Sequence, residues 1–249
     1  LLGTVTPFCS CSSIPLFTGF TSASLPVGVT FSFLISSPLV DLGSLILLSS
    51  IFGFKAAAAY VIAGLVLAVA GGTLIEKLGL DPEKISTLIL THCHIDHVGG
   101  AFEFRKRFGA RIIMHQKDAE IVERGDNRMT AAYWYGVNFA PLPVDLKITV
   151  EEERIKIGEQ EIVCIHTPGH SPGSISVYLD KNDKRILFGQ DIHGPFLADF
   201  GADISLWRKS MKKLLALKAD ILCEGHFGVY EPSEKVTDYI ERYLEEYDE

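Results

Sequence analysis

Thr-His-Cys-His-Ile-Asp-His-Val-Gly-Gly, residues 91–100, follows directly on the apolar run 86–90. Short, apolar and preceded by a polar segment, that run predicts a buried strand. In extended chain residues i and i+2 point the same way, so His92 and His94 reach one point past the strand end. The turn that follows swings Asp96 and His97 toward a second point. Gly99 and Gly100 carry no Cβ and let the backbone pass close by as the next helix begins. A lone histidine is usually an ordinary surface or core residue. Three imidazoles and a carboxylate within residues 92–97 point instead to metal binding. Cys93 alternates with the two leading histidines and is expected to face away from the metal.

Three more candidate ligands stand where a predicted strand ends. His170 follows Glu161–Ile165 in Thr-Pro-Gly-His-Ser-Pro-Gly, Asp191 follows Arg185–Phe188, and His226 follows Asp220–Cys223 in Glu-Gly-His. Four strand ends thus deliver metal-binding side chains to one edge, which is where open α/β sheets place their sites.

From about residue 73 to 230 the chain resembles the metallo-β-lactamase superfamily, whose signature is His-x-His-x-Asp-His. The resemblance implies an α/β fold, a four-layer αββα sandwich of two mixed sheets flanked by helices. It also implies roles. His92, His94 and His170 would hold a first metal, Asp96, His97 and His226 a second, and Asp191 would bridge them, with Asp96 doubling as a proton acceptor in catalysis. Five imidazoles and two carboxylates suit zinc, with iron or manganese as alternatives, rather than calcium or magnesium. The family further carries an early Asp that orients the metal-binding loop. Leu39-Val-Asp-Leu-Gly43 resembles that motif, but Asp41 lies 51 residues before His92. The better-placed Leu67-Ala-Val-Ala-Gly71 has no Asp.

The function this resemblance implies is a binuclear metal-dependent hydrolase similar to the glyoxalase II branch. Its metal-bridging hydroxide would act on a thioester, ester or lactone-type small substrate. True glyoxalase II adds a C-terminal helical region for glutathione, whereas 23 residues follow His226 here. Two other readings compete: a mononuclear iron oxidoreductase similar to persulfide dioxygenases, and a metallo-nuclease. The net charge of −8 and pI near 5.5, with no block of Lys or Arg, argue against a nucleic-acid partner. A small-molecule substrate is the expected partner, and a homo-oligomer is compatible with the sequence.

The remaining chain reads as one domain over residues 1–249, long enough for a sizeable core. Cys9, Cys11, Cys93, Cys164 and Cys223 are few, odd in number and unlike a disulfide framework, which fits a cytoplasmic setting. Residues 1–75 hold only Asp41 and Lys55 as charges. They read as the β-rich first half of the domain, with Tyr60–Gly64 and Leu65–Ala70 as two strands joined by a glycine turn. A membrane segment over residues 42–70 competes, but Ser and Gly interrupt it and Lys55 divides it. A short helix is expected from Thr73 to near Gly79, then helices over Ala101–Phe108 and Gln116–Arg124 on either side of a strand Arg111–His115. Residues 125–147 read as a long loop whose Tyr133, Trp134, Tyr135 and Phe139 either wall a substrate pocket or fill a small core. Strand Ser174–Leu179, helix 203–218 and a final helix from Pro232 complete the pattern. His115 and His166 are candidate supports for the ligands, and His193 a candidate substrate contact.

Overall fold

A computed structural model of the protein describes residues 49–78 and 84–247. In chain order the helices and strands are α1 (Phe54–Lys77), β1 (Thr87–Ile89), α2 (Ile95–Val98), α3 (Ala101–Phe108), β2 (Arg111–His115) and α4 (Gln116–Glu123). Then come β3 (Leu146–Ile148), β4 (Glu152–Ile157), β5 (Gln160–His166), β6 (Ile175–Lys181) and β7 (Lys184–Gln190). The chain closes with α5 (Ile204–Ala216), β8 (Ile221–Glu224), β9 (Val229–Tyr230) and α6 (Ser233–Glu246). The described residues fall into two compact units, 49–78, 84–86 and 99–110 in the first and 87–98 with 111–247 in the second.

In the first unit, α1 replaces the two strands expected over Tyr60–Ala70 and absorbs the short helix expected from Thr73. Valine, isoleucine and leucine suit either state, and the glycines between them looked like a turn. Alanine decides it: Ala56–Ala59 and the alanines beyond are strong helix formers, and the summed propensity outweighs single glycines. Helix α3 ends as expected at Gly109, whose left-handed backbone (φ 67°) lets its N–H cap Arg105 O at 2.8 Å.

The second unit holds both sheets and all the candidate ligands. Strands β1, β2 and β3 form a three-stranded sheet, parallel throughout among the described residues rather than mixed. Strands β4 to β9 form a six-stranded sheet in sequence order, antiparallel except where β7 pairs with β8. Strands β3 and β4 fall where the sequence pointed to no strand. Three residues is too short for a periodic signal in β3, and charged residues fill β4 on its exposed face.

The period of two along β5 builds two cores at once. Val163 and Ile165 join Tyr178, Leu187 and Leu222 beneath Trp207, Met211 and Leu214 of α5 and Val236, Tyr239 and Ile240 of α6. Cys164 points the other way, joining Ile155, Ile175 and Val177 against Ile113 and Ile148 of the parallel sheet. Helix α4 packs on β2 and β3. Four layers result, with α5 and α6, the six-stranded sheet, the three-stranded sheet and α4 stacked in that order. Both sheets are flanked by helices, as expected.

Leu187 is fully buried in the outer core. Leu187→Ala is expected to cost about 2–5 kcal/mol, read by denaturant unfolding. A loss below about 1 kcal/mol would mean that this core is not close-packed.

Candidate metal centre

The four ligand-bearing segments leave the carboxyl ends of β1, β5, β7 and β8. After β1 the chain passes through His92 and His94, with a bend at Cys93, then closes one helical turn, α2. His97 N and Val98 N donate to His94 O at 2.9 and 3.0 Å. That turn carries Asp96 and His97 to the second position, as the spacing predicted.

Two groups of ligand atoms form. One comprises His92, His94 and His170, all buried, and the other Asp96, His97, Asp191 and His226; within each group the atoms lie within 4.8 Å of one another. Asp191 stands between the groups. Its Oδ2 is 3.8 Å from His92 Nε2 and 3.5 Å from His170 Nε2, yet 3.2 Å from His226 Nε2. Its Oδ1 lies 3.2 Å from His97 Nε2. All seven predicted residues are brought together.

The donor set fits divalent cations. His92 Nε2, His94 Nε2 and His170 Nδ1 are buried with no hydrogen-bond partner among the described residues. Such atoms are costly in a folded protein unless an ion satisfies their surroundings. His94 Nδ1 and His170 Nε2 meet at 2.9 Å, two ring nitrogens sharing at most one proton. Burial drives His92 well below its usual range, with His97 and His170 adding to the effect, and holds His94 near 4 and His170 near 3. These three imidazoles are therefore neutral and ready to ligate at neutral pH. His97 differs. Burial pulls it down, but Asp191 and Asp96 outweigh burial and push it up to about 9. Asp96 answers in kind: burial raises it, His97 outweighs that, and it falls to about 2.

The histidine cluster is held by groups the sequence did not reveal. Asp118, fully buried in the first turn of α4, accepts from Cys93 N at 2.9 Å, Ser171 Oγ at 2.6 Å and Gly173 N at 2.6 Å. One carboxylate thus ties the loop of His92 and His94 to the loop of His170. It does the orienting work expected of an early Asp, while Asp41 lies outside the described residues. Glu224 does the same for the last ligand, accepting from His226 N and Phe227 N at 2.8 Å each and pairing with His193 Nδ1 at 2.6 Å. Gln190, with φ of 56°, turns its side chain back to accept from Asp191 N at 2.8 Å. Polar residues at strand ends and first helical turns are ordinary, so none of these stood out in the sequence.

Cys93 faces away as expected, its Sγ directed at Met129 O. His115 and His166 touch no ligand. They stack on one another with centroids 3.8 Å apart and planes 5° from parallel. The expectation for the 125–147 loop divides in two. Phe139 is buried, whereas Tyr133, Trp134 and Tyr135 are exposed. Trp134 packs edge-on against Phe200 at 4.8 Å, and Phe200 against His94 at 5.5 Å. On the other side His193 contacts Phe227 at 4.5 Å. Aromatic surface therefore borders the cluster on both sides.

Residues 53–226 match the metallo-β-lactamase superfamily, and the chain belongs to it. Residues 1–94 also match a family described as a predicted permease. Acyl-coenzyme A thioesterase MBLAC2 of Homo sapiens is 31% identical over 118 residues, 42% of this chain and 40% of that protein. The chain thus spans about two fifths of the length of that relative. Hydroxyacylglutathione hydrolase GloC of Haemophilus influenzae is 31% identical over 163 residues, 63% of this chain and 73% of that one. Among solved structures, the subclass B3 metallo-β-lactamase BJP-1 of Bradyrhizobium japonicum aligns with TM-score 0.58 and 24% identity, covering 70% of this chain and 75% of that chain. The fold is that of the metallo-β-lactamases.

Two predictions rest on this geometry. A Cβ at Gly225 would lie 2.2 Å from Asp191 Oδ1, so Gly225→Ala should displace Asp191 and lower metal content, measured by elemental analysis. Protons compete with metal at His97, whose value near 9 lies above working pH, but not at His94 or His170, near 4 and 3. Calorimetric loading of metal-free protein from pH 6 to 9 should show one affinity nearly flat. The other should rise by about tenfold per pH unit as the His97 proton is displaced. Equal slopes for both would contradict the assignment of that proton.

Proposed function

We propose that the protein is a binuclear metal-dependent hydrolase of thioesters or related small esters. His92, His94 and His170 hold one divalent cation, Asp96, His97 and His226 the other, and Asp191 is shared; zinc is the expected metal, with iron or manganese as alternatives. The observation that carries this reading is the position of Asp191, whose two oxygens reach imidazoles of both groups. When bound, such a pair of cations supplies Lewis acidity and a hydroxide nucleophile near neutral pH.

The protein's own residues supply the rest. Asp96, held near 2 and one third exposed, stays ionised and can accept a proton at the mouth of the site. His92 and His170, buried and neutral, exclude water from the inner side. Trp134, Phe200 and Phe227 present apolar edges suited to the carbon chain of an acyl group. Thioester substrates are supported by the printed activities of the thioesterase and hydroxyacylglutathione hydrolase relatives.

Protein purified without added metal should carry two metal ions per chain and hydrolyse a short acyl-coenzyme A or S-lactoylglutathione, with chelation abolishing turnover and metal restoring it. Asp191→Ala should lose metal from both positions. Its activity should fall by more than the about 10–100-fold typical of residues outside the ligand set. Retention of two tightly bound ions by that variant would overturn the shared role. Trp134→Ala should raise KM with little change in melting temperature, whereas Phe139→Ala should lower stability and leave KM unchanged. The reverse pattern would move the acyl contact away from Trp134.

A further inference from the structure

The 24-residue helix α1 is built inside out for a protein in water. Among its described side chains the buried positions are Ala57, Gly64, Ala68 and Gly72, all small. Its exposed positions include Phe54, Ile62, Val66, Leu67, Val69 and Leu74, each 57–78% accessible. A helix in the core of a soluble protein hides its large apolar side chains and exposes polar ones. A surface helix lying along a membrane has one apolar face and one charged face, and α1 has no charged face. Large apolar side chains turned outward over a stripe of small ones is the arrangement of a helix surrounded by lipid, where small residues serve helix packing.

The dimensions agree. Residues 56–75 hold no Asp, Glu, Lys or Arg, and twenty helical residues rise about 30 Å, the thickness of a bilayer's hydrocarbon core, about 30 Å. Only 22% of the most apolar window, within Phe54–Leu74, is buried. Lys55 does not divide the apolar segment, as the sequence had suggested. It stands at the first turn, and Lys77 closes the last, so both ammonium groups can reach headgroups at opposite interfaces. Thr73 Oγ1 donates to Val69 O at 2.8 Å, so this exposed hydroxyl needs no water. The helix also lies within residues 1–94, the stretch that matches the predicted-permease family.

We propose that α1 spans a lipid bilayer and tethers the hydrolase unit to a membrane. This departs from the cytoplasmic setting that the cysteine content suggested and from the reading of residues 42–70 as too interrupted to span a membrane, and it does not depend on which substrate the hydrolase takes.

The test uses the full chain with phosphatidylcholine vesicles. The protein should float with the vesicles, stay with them through a carbonate wash at pH 11, and leave only with detergent. The double variant Val66→Glu/Leu67→Lys should lower the floated fraction at least tenfold while keeping the cooperative thermal unfolding of the wild-type protein. Val66→Ile/Leu67→Ile should float as the wild type does. Three outcomes would overturn the proposal: wild-type protein that stays in the aqueous fraction, release of the wild type by carbonate alone, or a charged variant that floats undiminished. Concentration-dependent self-association in buffer, abolished by the charged variant and without flotation, would instead make α1 a contact between copies of this chain.

Discussion

The second unit is organised around one costly arrangement: imidazoles and carboxylates crowded together, with His92, His94, His170 and Asp191 buried away from water. Buried lone pairs with no partner destabilise a fold, so the surrounding backbone must hold them against collapse. The frame is made of carboxylates on backbone amides. Asp118 gathers Cys93 N and Gly173 N, and Glu224 gathers His226 N and Phe227 N. These bonds fix the backbone next to each ligand rather than the ligand itself. His92 Nε2, His94 Nε2 and His170 Nδ1 are left without a hydrogen-bond partner among the described residues.

Charge is distributed unevenly across the cluster. The inner triad is neutral because burial makes it so. The outer group balances His97 against Asp96 and Asp191. An exposed carboxylate beside a protonated imidazole gives the outer position a proton reservoir that the inner one lacks. Asp96 lies on the solvent side of the cluster.

Much of this was legible in the sequence, for a physical reason. Ligands follow strand ends, strands announce themselves by apolar runs, and the His-x-His-x-Asp-His spacing is hard to produce by packing alone. All seven candidate ligands and the strands that carry them were therefore visible. The supports were not, because Asp118 in a first helical turn and Glu224 at a strand end resemble the ordinary polar residues of any surface. Helix α1 was misread as strands because valine, leucine and isoleucine fit both states. The run Ala56–Ala59 was the sequence signal for a helix, and the pattern of exposure, absent from a one-dimensional reading, adds that its large apolar side chains face outward.

The glycines at the ligand loops also set where the protein can change. A side chain at Gly169 would run into the Trp207 backbone at 2.4 Å, at Gly173 into Asp118 at 2.5 Å, and at Gly225 into Asp191 at 2.2 Å. Every other amino acid adds at least a Cβ, so no amino-acid substitution at these positions is neutral in shape. The side chains of Tyr133, Trp134 and Phe227 sit in the opposite situation, exposed and packed on the cluster's neighbouring rings. Diversification under selection is thereby channelled to the rim. A combinatorial library aimed at new substrates gains most by varying those three aromatics and leaving the glycine loops untouched.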